Sequence, residues 1–393
     1  MRSEWKTCKA EDFIEFNPRL TIRKGEIATK VSMDKLQPFT KAIPEVEQAA
    51  FSGGSKFCNG DTIMARITPC LENGKTAFVN NLQDGEVAFG STEFIVLRAK
   101  PGISDPQFVY YLAISPFFRD VAIKSMVGSS GRQRVQQSVL NGLSLTFPPL
   151  DEQCRIGAFL AKLDDKIELN QRINENLERQ AQAIFVERFS GFSANDLPDG
   201  WKTVRLGDVA IISKKSFNPN KEPETLLEHY SIPAFDEARF PVFELSTSIK
   251  SNKFIVDADC FMISKLNPTT KRVWRPYCIS DKAVCSTEFI VYKAREQRYT
   301  DFLYSLIDSE SFSGFMCSHV TGSTGSRQRA TPADTLQFEF ALPPAEEISA
   351  FTAIVQPMHQ QIRGNAIEND KLKRLRDTLL PKLMAGEIGV FQE

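Results

Sequence analysis

The stretch PPLDEQCRIGAFLAKLDDKIELNQRINENLERQAQAIFVERF, residues 148–189, decides the fold of this chain. After its two opening prolines only Gly157 interrupts a run of strong helix formers, so it predicts one helix on the order of 55 Å long at ~1.5 Å per residue. Its apolar positions follow one another in steps of three and four: Ile156, Leu160, Leu163, Ile167, Leu177 and Ile184. Such a narrow seam favours packing against a single partner helix.

A second helix with the same seam follows 195 residues later. Its matching positions are Phe351, Val355, Met358, Ile362, Asn365, Asn369, Leu372 and Leu379. Asn365 and Asn369 fall on Asn170 and Asn174 of the first seam. A polar residue inside a seam costs stability but fixes register, so these four asparagines predict two helices that pack on each other. The alternative is two amphipathic helices buried in separate domains.

The second helix differs from the first at one interior position. Pro357 stands where the first copy has Lys162. An interior proline removes a backbone hydrogen bond and costs a helix ~3 kcal/mol. The sequence therefore predicts a bend or a break around Gln356–Pro357.

The repeat extends beyond the helices to the whole chain. Trp5-Lys6-Thr7 matches Trp201-Lys202-Thr203, and residues 91–96, STEFIV, recur letter for letter at 286–291. Each copy is thus a globular stretch followed by a long helix. The predicted boundaries are 1–147 for the first globular domain, 148–190 for the central helix, 191–342 for the second globular domain, 343–385 for the C-terminal helix and 386–393 for a tail.

The globular stretches predict an α/β (α+β) fold in two tandem copies. Residues 62–67, 87–97, 260–265 and 283–293 are rich in β-branched and aromatic residues, as strands are. Residues 106–118 and 300–312 predict short helices, the first ending near Ser115-Pro116. Strands and crossover helices do not alternate regularly, so we expect a curved, largely antiparallel sheet rather than a doubly wound one.

Composition narrows the class of protein. The 393 residues carry a formal net charge of −1, so any surface that binds nucleic acid must be local. The eight cysteines contain no C-x-x-C pair, which argues against a zinc site and a disulfide framework. No leader and no long apolar run is evident, so the sequence predicts a protein of the cytoplasm, a reducing compartment.

No catalytic or metal-binding constellation is visible, so we predict no catalytic residue and no metal ligand. The chain has no Walker loop, no G-x-G-x-x-G and no H-E-x-x-H, nor the Asn/Asp-Pro-Pro-aromatic loop with which amino-methyltransferases hold an extruded adenine. Glu93 and Glu288 match each other in the repeat. Because they lie in strand-like runs, we expect hydrogen-bonding or salt-bridge roles at strand ends rather than catalysis.

Binding is indicated by basic residues at matched places in both copies. A Gly/Ser loop precedes Arg-Gln-Arg twice, and further basic residues follow the strands that end at Met64 and Met262. Loop hydroxyls and forked arginine donors suit phosphate groups. The alternative for any one loop is a solvated charged turn. The candidate DNA-binding residues are Arg66, Thr68, Lys75, Ser129, Ser130, Arg132, Gln133, Arg134, Lys265, Thr269, Thr270, Lys271, Arg272, Arg275, Ser323, Thr324, Arg327, Gln328 and Arg329.

The repeat separates positioning from readout. Residues identical in both copies cannot distinguish two DNA targets. We therefore predict contacts to the DNA backbone from Arg132, Arg134, Arg327 and Arg329. Residues that differ at matched positions can read different bases. By this reasoning residues 68–75 and 267–275 are the readout candidates.

These motifs resemble those of the DNA specificity subunits of type I restriction–modification enzymes. The resemblance covers the whole chain and rests on residues 201–209, WKTVRLGDV, on residues 60–64, GDTIM, on residues 259–268, on both Gly/Ser-Arg-Gln-Arg loops and on residues 148–153 leading into the helix. The second copy departs from it, with PPAEEI at 343–348 and with Pro357.

The resemblance implies two target recognition domains that read a split, asymmetric site in double-stranded DNA. It also implies that the two long helices pack antiparallel as a coiled-coil-like spacer between these domains. It further implies that two modification (methyltransferase) subunits dock on the helices and that restriction/translocase subunits join them. This chain would hold no cofactor, because S-adenosylmethionine, ATP and Mg would belong to those partners. Two other classes stay open: a coiled-coil scaffold that binds protein, and a diverged DNA methyltransferase or type II-like specificity protein. A stand-alone repressor is a lesser variant.

Overall fold

The computed structural model describes residues 4–129, 131–192, 196–321 and 328–390. These form two compact units. The first unit contains residues 1–169 and 369–393, and the second contains residues 170–368. Each unit thus combines one globular stretch with part of both long helices.

The first unit begins with ten short elements, nine of them strands, and continues into helices. Their bounds are β1 (Lys6–Lys9), α1 (Ala10–Phe13), β2 (Ile14–Phe16), β3 (Ile27–Val31), β4 (Glu47–Ala50), β5 (Lys56–Phe57), β6 (Thr62–Ala65), β7 (Thr76–Phe78), β8 (Ala88–Gly90), β9 (Phe94–Ala99), α2 (Pro106–Ile114), α3 (Pro116–Lys124), α4 (Gln137–Asn141), β10 (Ser144–Phe147) and α5 (Leu150–Phe189), of which the last enters the second unit. Asp105 caps α2 by accepting a hydrogen bond from the Phe108 amide at 2.8 Å.

Two four-stranded sheets form the body of the first unit. Their strand orders are β2-β9-β6-β7 and β4-β3-β8-β5, and only the β3–β8 pair is parallel. Both faces of the first sheet are covered: Met64 and Ile95 pack toward the helices, whereas Ile63 and Phe94 pack toward the second sheet. Burial on both faces explains why β6 and β9 are continuous apolar runs rather than alternating ones.

The second unit repeats this plan. Its elements are β11 (Lys202–Arg205), α6 (Leu206–Val209), β12 (Ala210–Ile212), β13 (Ser216–Phe217), β14 (Leu226–Tyr230), α7 (Ile232–Ala238), β15 (Val242–Leu245), β16 (Lys253–Ile255), β17 (Cys260–Ser264), β18 (Val273–Trp274), β19 (Ala283–Ser286), β20 (Phe289–Ala294), α8 (Thr300–Ile307), α9 (Glu310–Ser318), β21 (Val320–Thr321), β22 (Arg329–Ala330), α10 (Pro332–Thr335), β23 (Glu339–Leu342) and α11 (Ala345–Met384), of which the last ends in the first unit. Its main sheets are β12-β20-β17-β18 and β13-β16-β19-β14-β15, with β14–β19 as the parallel pair.

The long helices pair antiparallel inside each unit, as predicted. In the second unit Asn365 Nδ2 donates to Asn174 Oδ1 at 2.8 Å, and Asn170 Nδ2 donates to Glu368 at 2.7 Å. In the first unit Asn369 Nδ2 donates to the Ile167 carbonyl at 3.3 Å. All four seam asparagines therefore hydrogen-bond to the facing helix, and their role in fixing its register stays a prediction.

Of the predicted bend or break at Gln356–Pro357, the break is wrong, because helix α11 is continuous from Ala345 to Met384, and the bend stays a prediction. Pro357 cannot donate to the carbonyl of Ala353, one turn earlier. Both residues are exposed, so water can satisfy that carbonyl, and the proline ring lies away from the seam.

The predicted strand over residues 87–97 is two strands in different sheets. β8 and β9 are separated by a turn at Ser91–Glu93, and β19 and β20 by the matching turn in the second unit. Ser91 Oγ accepts from the Glu93 amide at 3.1 Å, and Ser286 does the same for Glu288 at 3.2 Å. This side-chain turn competes with the strand ladder. The helix boundary predicted near Ser115-Pro116 is confirmed.

Across the described ranges, no helix has both the length and the apolar character that a membrane crossing needs.

Candidate nucleic-acid interface

Three loops that the sequence singled out separately meet at one place in the first unit. The Arg66 amide donates to the Glu93 carbonyl at 2.9 Å, which joins the end of β6 to the turn after β8. The Thr68 amide donates to Gln133 O at 3.0 Å, and the Val135 amide donates to Arg66 O at 2.8 Å. These bonds join the readout candidate that follows β6, residues 68–75, to the Arg-Gln-Arg segment. We call this arrangement the loop junction. Below we call residues 68–75 and 267–275 the first and second readout loops.

The second unit contains the same loop junction at matched positions. The Lys265 amide donates to Glu288 O at 2.9 Å. The Asn267 amide donates to Gln328 O at 2.9 Å, and the Ala330 amide donates to Lys265 O at 3.0 Å. The backbone frame is thus conserved between the copies while the side chains on it differ.

An arginine–glutamate pair locks each junction. Arg134 donates from Nε and Nη2 to the Glu93 carboxylate at 2.6–3.0 Å, and Arg329 donates likewise to Glu288 at 3.0–3.3 Å. The hydrogen bonds from Arg134 lower the pKa of Glu93. The predicted salt-bridge roles of Glu93 and Glu288 are therefore confirmed. Phosphate contact by Arg134 and Arg329 stays a prediction, and each would contact DNA with donors already shared with a carboxylate.

Arg132 differs from Arg134, two residues later. It is exposed, and its guanidinium has no hydrogen-bond or ion-pair partner within residues 4–129 and 131–192 or the other described ranges. Ser129 is exposed on the same loop, whereas Gln133 and Gln328 are half-buried and carry the junction bonds on their carbonyls. Ser130, Ser323, Thr324 and Arg327 lie outside the described residues.

The remaining candidates of the first unit belong partly to its framework. Arg66 Nη2 donates to the Val135 carbonyl at 3.3 Å, and Thr68 Oγ1 donates to Gln133 O at 3.3 Å. Lys75 Nζ donates to the Met33 carbonyl at 2.9 Å. These three side chains hold the readout loop in place.

The cations of the second readout loop are largely neutralised. Arg272 forms a two-point ion pair with Asp236, and Lys271 pairs with Asp308 at 3.2 Å. Arg275 pairs with buried Asp301, which His359 also contacts at 2.7 Å. Burial alone would raise the pKa of Asp301, but the hydrogen bond from His359 and the charge of Arg275 lower it.

Three further candidates of the second unit stay available for contact. Thr269 and Thr270 are exposed at the tip of the loop. Lys265 is half-buried, and its ammonium has no partner among the residues that the structure describes. Sequence reasoning missed the carboxylates of Asp236 and Asp301, because nothing in their spacing connects them to the loop.

No group of three or more His, Cys, Asp or Glu residues in the described part of the chain could hold a metal ion. Cys260 and Cys285 are buried in an apolar core, and burial raises the pKa of the Cys260 thiol to about 12. Such thiols pack as small apolar side chains.

Two copies of an α/β unit, each joined to long helices and carrying the same loop junction, define a class of repeat protein. Known proteins of this class identify the family. The family profile described as "Type I restriction modification DNA specificity domain" matches residues 2–179 and 198–376. The chain belongs to this family.

Relatives share this assignment. The type I restriction enzyme HindI specificity subunit of Haemophilus influenzae is 26% identical over 410 residues, covering 84% of this chain and 86% of that protein. The MjaIX specificity subunit of Methanocaldococcus jannaschii is 24% identical over 72% of this chain and 69% of that protein. The crystal structure of a type I restriction–modification S subunit from M. genitalium is 15% identical, covers 96% of both chains and has a TM-score of 0.59, so it shares the fold.

Proposed function

We propose that this specificity subunit reads a bipartite, asymmetric site in double-stranded DNA, one half with each unit. The observation that carries the proposal is the duplicated loop junction. Its backbone bonds are the same in both units, whereas the loops that they fix differ in length and in side chains. Two units that recognise different DNA sequences need the same backbone support and different side chains on their loops.

The spacing between the two halves would be set by the long helices. Helices α5 and α11 each contain 40 residues, about 60 Å at ~1.5 Å per residue. That length is enough to hold two readers one DNA turn, about 34–36 Å, or somewhat more apart. The asparagine bonds between the helices support the proposal, because slippage of one helix on the other would change the spacing.

The chain would contribute no catalysis of its own. We propose that two modification subunits dock on it and supply S-adenosylmethionine and adenine methylation, with ATP and Mg used by restriction subunits. Support comes from the sequence, which lacks the methyltransferase loop and phosphate-binding loops. Base flipping and chemistry would then belong to the partners.

The test is DNA binding by the purified chain in complex with its modification subunit, measured across salt concentrations. Specific contact through several cations predicts a linear fall of log affinity with log salt, with a slope of about −0.9 per phosphate neutralised. Salt-independent binding, or no binding, would instead favour the protein-binding scaffold. S-adenosylmethionine binding by this chain alone would favour the diverged methyltransferase.

A further inference from the structure

The readout candidate of the first unit, residues 68–75, has an exposed tip whose two side chains make no polar contact with the described residues. Glu72 and Asn73 are both exposed. Among the described residues, neither the Glu72 carboxylate nor the Asn73 amide has a hydrogen-bond or ion-pair partner. Neither side chain therefore contributes to folding through a polar contact.

The backbone beneath these side chains is held firmly. Leu71, the preceding residue, is fully buried and anchors the loop in the core. Arg119 of α3 donates from Nη2 to the Glu72 carbonyl at 2.7 Å and to the Leu71 carbonyl at 3.3 Å. The backbone N–H of Asn73 donates to Pro69 O at 2.9 Å. The tip is thus fixed on both sides of Glu72.

An aromatic side chain supports the other end of the tip. The Phe39 amide donates to the Gly74 carbonyl at 3.1 Å. A Cβ on Gly74 would lie 2.5 Å from the Phe39 ring, so only glycine allows this close approach. The Arg119 guanidinium lies 5.4 Å from the centroid of the same ring. Phe39 is itself 56% exposed and has a φ of 53°, a left-handed conformation that costs energy for a bulky residue.

A rigid backbone that presents unpartnered polar side chains is the arrangement that a binding site needs, because little ordering entropy is lost on contact. The matched loop in the second unit is built differently. Both loops close on the same ladder position, through Ala65 N to Lys75 O at 3.0 Å and through Ser264 N to Arg272 O at 2.9 Å. In that second loop Lys271 is bound to Asp308. The exposed tip of that loop carries Thr269 and Thr270, so a carboxylate beside a side-chain amide distinguishes the tip of the first unit.

We propose that the Glu72–Asn73 tip is the base-reading element of the first unit. An asparagine amide can bond the N6 and N7 edge of adenine in the major groove, and a carboxylate accepts from N4 of cytosine. Asn73 therefore reads an adenine, Glu72 reads a cytosine, and Arg119 is a positioning residue. This inference rests on the proposed function, because it assigns bases to one half of the proposed site.

The test maps adenine methylation in cells that express this chain with its modification subunit. Asn73→Ala is expected to make one adenine of one half-motif degenerate while the other half stays unchanged, and Glu72→Gln is expected to relax a cytosine in the same half. Asn80→Ala is the matched control, since Asn80 is exposed on the opposite end of β7 and should leave the motif unchanged.

Purified complexes provide the second measurement, which does not depend on methylation. On duplexes that differ only at the assigned adenine, the unaltered complex should discriminate about tenfold or more, and the Asn73→Ala complex should lose that discrimination. An unchanged motif and unchanged discrimination in both variants would overturn this inference and leave the proposed function standing. Absence of any split motif with the unaltered chain would overturn both.

Discussion

Arg134 binds both carboxylate oxygens of Glu93, at 2.6–3.0 Å, and so ties the segment after the Gly/Ser loop to the turn between two sheets. Arg329 and Glu288 repeat this pair in the second unit. An arginine that forms two hydrogen bonds with one carboxylate is held in a fixed position, so its first role is structural. Substitutions at Arg134 or Glu93 should therefore change the free energy of unfolding, whereas substitution of the exposed Arg132 should change DNA binding.

The first prediction concerns Glu93 and pH. Its pKa is lowered in the folded protein by the hydrogen bonds from Arg134. A lowered folded-state pKa stabilises the protein above the unfolded value, about 4.3, and that contribution is lost as pH falls through the folded value. Glu93→Gln should therefore reduce the free energy of unfolding at pH 6 and have progressively less effect below pH ~4.3. Denaturant unfolding at several pH values checks this, and a difference that stays constant down to pH 3 would contradict it.

The second prediction separates Arg132 from Arg134. Arg132 is exposed and has no partner in the described part of the chain, so Arg132→Ala should reduce the salt slope of DNA binding by about 0.9. Its effect on the free energy of unfolding should stay within about 0.5 kcal/mol. Arg134→Ala should instead lower stability, because it releases the junction. Equal salt slopes for Arg132→Ala and the unaltered chain would rule out the phosphate contact.

A third prediction concerns a buried network on the helix pair of the first unit. Asp164 accepts from Arg376 Nη1 at 2.6 Å and from Tyr111 Oη at 2.6 Å, and both charged side chains are under 10% exposed. Asp164→Ala leaves Arg376 with only the more exposed Asp377 carboxylate, at 2.9 Å, and leaves the Tyr111 hydroxyl without its acceptor, which should lower the free energy of unfolding by roughly 1–3 kcal/mol. Lys162→Ala, on the exposed face of the same helix, is the control and should change it by less than about 0.5 kcal/mol. Similar small effects for both would show that the network does not hold the first unit together.

The fourth prediction tests the asparagines of the seam. Asn174→Ala leaves the Asn365 amide without its 2.8 Å acceptor and should cost about 1–3 kcal/mol. Replacing both residues by leucine should restore most of this loss, because neither half of the Asn174–Asn365 pair is then left without the other, and the exposed Gln361, which donates to Asn365, can bond to water instead. A double-mutant cycle on thermal or denaturant unfolding measures the coupling. Additive effects of the two single substitutions would contradict a direct bond between them.

Much of the fold follows from the sequence, because the repeat itself carries the information. The 195-residue offset predicted two similar units and a helix pair, and the shared asparagines predicted their register. Helix α11 was misjudged at Pro357, since one-dimensional periodicity does not show that Ala353 and Pro357 both face water. The strand over residues 87–97 was misjudged because β-branched residues continue through the turn that Ser91 makes.

The candidate site was predictable only in outline. Matched loops in both copies indicated the Arg-Gln-Arg segments and the loops after β6 and β17. The sequence could not show that Arg272 would be neutralised by Asp236, since the two residues are 36 positions apart. Nor could it indicate Glu72 and Asn73, which an exposed charged turn would also contain. What distinguishes Glu72 and Asn73 from an ordinary exposed turn is their backbone, which the bond from Arg119 and the buried Leu71 hold in place.

The central claim, that each unit reads one half of a split DNA site, is tested most directly by exchanging residues 1–147 for the matching domain of another specificity subunit. Adenine methylation would then be mapped in cells that also express the modification subunit. We expect a methylated motif with two short defined halves around an unspecified gap. The exchange should change one half and leave the other half and the gap length unchanged. A contiguous motif, or a change in both halves at once, would contradict it.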